Sequence, residues 1–324
     1  MSDKIPLELG QKRRCLVDML TSKHTRKAIQ LILALTFFLP SLAFCQGNPV
    51  PYKSQIGKTM TLIPWQGRKV AVLTQNAKRD PRIMKLLVRA LDKAYMVYEQ
   101  ITGSAPEPNS GATLNGLDIV AEVPDADTTC GGAACSYLGS WGSEIGTTYF
   151  NELYDGIRSR GEYDQAMFYE FGRTFWFYQD QLGKIDPFVT GFAIANRFIS
   201  LDRANLKGGP FRKLSYSEFK KSVLVDLLES YLENPDLTWR NTLLVEKPPP
   251  NQYGWSAADL AGAMIYRIYS DFGFSRYQAF WKALREQHAA QTPEDAVRAF
   301  LVAAKATTGR DYGFLFKDAT ERTR

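Results

Sequence analysis

Residues 163–178 read Tyr163-Asp-Gln-Ala-Met-Phe-Tyr169-Glu170-Phe171-Gly172-Arg173-Thr-Phe-Trp-Phe-Tyr178. Phe168, Phe171 and Phe175 recur at helical spacing, with Trp176 beside them, which predicts a helix over 164–181 with one aromatic face turned to a core. Glu170 and Arg173 stand three apart, so they share a face and can touch. Two readings stay open for Glu170. It is either a solvated or paired carboxylate on a core helix, or the working group of a site.

Outward from this segment the two halves of the chain differ. Toward the N-terminus, Met60-Thr-Leu-Ile, Lys69-Val-Ala-Val-Leu-Thr and Leu117-Asp-Ile-Val-Ala-Glu-Val read as strands. Asp80-Pro81 is a helix start, and Ile83, Leu86, Leu87, Ala90, Leu91 and Ala94 form a stripe that ends near Thr102-Gly103. Residues 46–57 read as a leading linker and Asp125-Ala-Asp127 as a turn. After residue 164, helices are expected over 164–181, 188–202, 215–233, 256–273, 275–288 and 293–308. The expected fold class is therefore α+β, with a mixed sheet-and-helix half over 46–163 and a mainly helical half over 164–324.

Residues 1–45 carry a basic cluster (Lys23, His24, Arg26, Lys27), an apolar run from Ala28 to Leu42, and small residues at Ala43 and Cys45. That order is a secretory signal peptide. The run is shorter than the ~20 residues of a membrane-spanning helix. Met19 is an alternative start, which would make residues 1–18 a start-site artefact. The expectation is an exported chain, periplasmic or extracellular, that meets the membrane only through its leader.

The leader takes seven Lys/Arg and three Asp/Glu from totals of 40 and 34, so the remaining chain has 33 basic and 31 acidic residues. A net charge of +2 gives no electrostatic footprint for nucleic acid. Cys130 and Cys135 remain as a pair, and in an oxidising compartment C-x4-C reads as a small disulfide loop. Two thiols alone do not make a zinc tetrahedron.

In the motif H-E-x-x-H, residues i and i+4 hold zinc from one helix face and the Glu serves as base for a metal-bound water. Here that frame is Tyr169-Glu170-Phe171-Gly172-Arg173. The Glu is in place and both histidines are absent. Further on, Phe188-Val189-Thr190-Gly191-Phe192-Ala193 resembles the N-E-G-F-A segment of gluzincin metallopeptidases, with Thr190 where the third ligand stands. On these two segments, about 30 residues, the chain resembles a degenerate gluzincin-type zincin. The resemblance implies a zincin-like fold in which Tyr169, Arg173 and Thr190 occupy the three ligand positions.

Histidine usage points the same way. His24 lies in the leader and His288 stands alone beside Arg285 and Glu286. A two-histidine zinc site is impossible in the exported chain, and a guanidinium cannot ligate a metal. No cofactor is expected and zinc is not anticipated. The resemblance thus implies a pseudo-metallopeptidase more than an active enzyme, one that binds a peptide or glycan in a cleft. The alternative is a hydrolase with Glu170 as general base, using an atypical metal or Arg173 as oxyanion stabiliser. Tyr137, Trp141 and Tyr178 are cleft candidates. Glu144, Asp164, Asp202 and Glu229 are possible second carboxylates for a glycosidase. Walker, dinucleotide and G-x-S-x-G patterns are missing.

Overall fold

The computed structural model describes residues 46–318. The leader, with Cys45 and His24, lies outside them. Seven strands form one mixed sheet: β1 (Val50–Lys53), β2 (Thr59–Gln66), β3 (Val70–Thr74), β4 (Thr113–Leu114), β5 (Leu117–Val123), β6 (Ala134–Ser136) and β7 (Ser143–Gly146). The spatial order is β1-β2-β3-β5-β7-β6, with β4 on β5. The central pairs β3/β5 and β5/β7 are parallel, while β1, β2 and β6 run antiparallel to their neighbours. β3 is buried along its whole length, which explains its continuous Val-Ala-Val-Leu-Thr run.

Helix α1 (Pro81–Thr102) crosses from β3 to β5. Asp80 caps its first turn by accepting from the Arg82 N–H, and Gly103 closes it at φ +72°. Its buried face runs through Met84, Leu87, Leu91, Tyr95 and Tyr98, and Leu86 from the expected stripe is exposed. Then follow α2 (Thr147–Arg160), α3 (Ala166–Thr174), α4 (Gln179–Leu182), α5 (Pro187–Arg203), α6 (Tyr216–Lys221), α7 (Leu227–Glu233), α8 (Trp239–Thr242), α9 (Ala257–Arg285) and α10 (Pro293–Thr308). A π-helical turn, Ser222–Asp226, joins α6 to α7 without a break.

The pleat divides the sheet into two faces. Leu62, Leu73, Ile119, Ala121 and Val123 pack on one side with Tyr52. Val72, Val120 and Ile145 face the other, where one apolar cluster runs through Tyr98 to Phe171, Phe192 and Trp281. α5 lies at the centre of the helical layer, packed by α3, α9 and α1.

Mixed sheet followed by helices is the architecture that the pattern predicts. Two local expectations change, and one holds. Residues 46–57 contain β1, paired from Val50↔Leu62 to Lys53↔Thr59, so they are not a linker. The helix expected over 164–181 stops at Thr174 and resumes at Gln179. At this end the Arg173 carbonyl accepts both from the Trp176 N–H in a tighter closing turn and from the Gly139 N–H outside the helix, each at 3.2 Å. The two helices expected over 256–273 and 275–288 are present, joined as α9 across a kink at Gly273, which sits at φ +72° and ψ −176°.

Candidate functional site

α3 lies beneath β6, the edge strand of the sheet, and against α5. Gly172 lets α3 approach α5, and Gly191 lets α5 approach α9 on its other side. A Cβ on Gly172 would lie 2.4 Å from the Ala193 Cα, and one on Gly191 would lie 2.8 Å from the Ala261 Cβ. Only glycine permits either approach. Arg173 follows the first of these glycines and Thr190 precedes the second.

That packing brings Arg173 and Thr190 together. An Arg173 Nη1–H donates to the Thr190 Oγ1 at 2.9 Å. Tyr169, one turn earlier on α3, is half-buried. Burial raises the pKa of its phenol, Arg173 lowers it, and the Thr190 hydroxyl acts on it as a hydrogen-bonding neighbour. Tyr169, Arg173 and Thr190 therefore form one group on the facing surfaces of α3 and α5. All three keep some exposure.

Glu170 turns toward β6 and is 6% exposed. Burial pushes its carboxyl up to about 7; hydrogen bonding from Ser136 on β6 and the Arg173 charge oppose this more weakly. It forms no ion pair with Arg173 among the described residues. Such a carboxyl exchanges a proton near neutral pH, the property a general base needs.

Ser136 and Arg197 belong to the site, although no sequence pattern singles them out. Ser136 also meets Ser143 across the β6/β7 pair, Oγ to Oγ 2.6 Å. Arg197 stands two turns beyond Thr190 on α5. Its guanidinium carbon is 5.9 Å from the Tyr169 ring centroid and 4.8 Å from those of Phe198 and Phe219. One Nη1–H donates to the Gln165 Oε1 at 2.7 Å, and its Nε–H finds no acceptor. Burial lowers its pKa. The only sequence signal is its i+7 relation to Thr190.

The loop after β6 completes the surroundings. Cys130 and Cys135 form a disulfide, with Cα atoms 5.9 Å apart, just before the strand ends. Tyr137 is 39% exposed. Trp141 is half-buried, its indole N–H donating to the Tyr95 hydroxyl at 3.0 Å. Asp118 accepts from the Gly142 N–H at 2.9 Å and so anchors the loop from below. Burial pushes the Asp118 carboxyl up to about 8.

Tyr178 is not part of this surface. It is fully buried, its ring 4.5 Å from that of Trp281, because α3 ends early and drops residues 175–178 into the core. The other carboxylates are engaged elsewhere or open to solvent. Glu144 accepts from the Tyr52 hydroxyl at 2.8 Å and the Gln55 N–H at 2.6 Å. Asp164 accepts from the Ala166 N–H at 2.8 Å. Asp202 accepts from the Tyr216 hydroxyl at 2.9 Å, and Glu229 is exposed. His288 is exposed just beyond α9. Asp125 accepts from the Thr148 N–H at 3.0 Å, so the Asp125–Asp127 turn serves as a cap for α2.

Among the described residues, no three His, Cys, Asp or Glu side chains meet in a metal-holding group. Nor is any described helix long and apolar enough to cross a membrane. No family model matches the chain, and no curated protein matches it. Among solved structures, it is similar to a variant of the M1 zinc metallopeptidase from Deinococcus radiodurans, at TM-score 0.44 and 12% identity. The match covers 85% of this chain and 52% of that one, so this chain spans about half of that peptidase.

Proposed function

We propose that this chain is an exported binding protein with a zincin-like core, and that it holds a peptide or glycan between α3, α5 and β6 without hydrolysing it. The hydrogen bond from Arg173 to Thr190, 2.9 Å, carries this reading. A zinc ion takes lone pairs from its ligands. Arg173 has none to give, and the Thr190 oxygen already accepts from Arg173. The three residues at the ligand positions of the resemblance do not fit zinc. They leave a fixed cation where a peptidase would hold a metal. Export is supported by the leader and by the Cys130–Cys135 bridge.

The test is metal content by mass spectrometry after dialysis against trace zinc, followed by a peptide and glycan array screen. The expected result is far less than one zinc per chain, with array binding that Glu170→Gln retains or strengthens. Near-stoichiometric zinc would overturn the proposal. So would an empty array.

One observation favours a second reading. The Glu170 carboxyl, pushed up to about 7, is poised as a general base beside the Arg173 cation. As a hydrolase, the chain would cleave array ligands slowly, and Glu170→Gln would abolish cleavage while sparing binding.

A further inference from the structure

The polar side chains that α3 and α5 bring together, Tyr169, Arg173 and Thr190, all carry donors. Arg173 carries five N–H donors in a planar fork. One is given to Thr190, and the guanidinium forms no ion pair among the described residues. The Tyr169 oxygen has the Thr190 hydroxyl as its hydrogen-bonding neighbour, acting as donor, which leaves the phenol's own O–H to offer outward. Behind its ring stands Arg197, a second guanidinium in no contact ion pair among the described residues, acted on by Asp259 and Asp164 only through their field, 7% exposed and with an orphan Nε–H. A buried cation without a counter-ion is unfavourable, and an anion brought from outside relieves it. Glu170, one turn away, leans to Ser136 and is held toward its neutral form by burial, so near neutral pH it cancels the Arg173 charge only in part.

We propose that Arg173 and Tyr169, backed by the charge of Arg197, form an anion site that receives a carboxylate of the ligand. The Arg173 fork matches the two oxygens of a carboxylate, and the Tyr169 O–H supplies a third donor. Arg197 touches no ligand and contributes through its field. This inference rests on the binding-protein reading above and narrows its ligand class. Both ligand classes can present the group: a peptide at its C-terminus or an acidic side chain, a glycan at a uronate.

The test is isothermal titration of the full chain with two matched pairs. One is N-acetyl-trialanine as free acid and as amide. The other is trigalacturonate and its methyl ester. The acid of at least one pair is expected to bind about tenfold more tightly than its neutral partner, as a charge-assisted fork implies. R173Q should erase that preference and R173K should keep part of it. Preference in the peptide pair alone identifies a peptide carboxylate, and preference in the uronate pair alone identifies a glycan. If R173Q does not fold, Tyr169→Phe removes one donor while keeping the ring, and should weaken only the acids. Equal binding of acids and neutral partners overturns the anion site but leaves cleft binding intact. No binding by either acid also overturns it, and the array screen then decides the broader reading separately.

Discussion

The guanidinium of Arg173 donates to the hydroxyl of Thr190 at 2.9 Å, joining the last turn of α3 to the first turn of α5. Both groups are half-buried, so the bond is partly shielded from water. Thr190→Val keeps the shape and removes the acceptor. It should cost about 1 kcal/mol, the net worth of one intramolecular hydrogen bond. Urea unfolding of T190V, R173Q and the double variant forms a cycle. Strictly additive losses would mean that the contact contributes nothing.

Glu170 gives stability a pH dependence of known sign. Its carboxyl is raised from an ordinary 4.5 to about 7 by burial. Between those values the folded chain binds more protons than the unfolded chain, so stability falls as pH rises through that window. Asp118 adds to the same slope, from 3.8 up to about 8. Glu170→Gln should therefore gain on the parent between pH 5 and pH 8, by on the order of 2 kcal/mol. Denaturant midpoints at the two pH values measure it. A gain that shrinks with rising pH would contradict the burial argument.

Gly172→Ala places a methyl group 2.4 Å from the Ala193 Cα, and the backbone there has no room to yield. Overpacking of this kind costs about 1–3 kcal/mol. The melting temperature should drop by several degrees, and ligand binding should weaken because α3 and α5 are pushed apart. An unchanged melting point would show that the two helices can separate freely.

Reduction should act on the edge strand. The Cys130–Cys135 bridge closes a short loop immediately before β6 ends. Chain entropy alone gives such a loop about 2 kcal/mol. Dithiothreitol should lower the melting temperature of the parent and leave a Cys130→Ser/Cys135→Ser variant unmoved. A fall of equal size in both would place the effect elsewhere.

Elements framed by local chemistry were legible in the sequence. Asp80-Pro81 and Gly103 bound α1, Thr292-Pro293 and Gly309 bound α10, and Gly273 marks the break in α9. Glu170, Arg173 and Thr190 were singled out through the resemblance to the two gluzincin segments, because spacing alone left a plain core helix open. What escaped depends on partners distant in the chain. β1 looks like a linker until β2 is set beside it, and β6 and β7 are too short and glycine-flanked to show alternation. The carbonyl at the end of α3 takes one of its two donors, the Gly139 N–H, from far upstream. Tyr178 has a polar tip that suggested a cleft, yet its hydroxyl is buried without a partner. Ser136 and Arg197 join the site only through the fold.

The two glycines beside Arg173 and Thr190 have one further consequence. Gly172 sets the distance of α3 from α5 and Gly191 that of α5 from α9, whereas the chemistry is set one position away, at 173 and 190. Dimension and identity are thus encoded separately. A saturation library over these four positions and 169 should divide sharply: 172 and 191 intolerant to almost every replacement, 169, 173 and 190 permissive for folding yet decisive for what is recognised. Such a site can be given a new specificity by exchanging side chains while its gauge stays constant, as a socket keeps its bore when its contacts are changed.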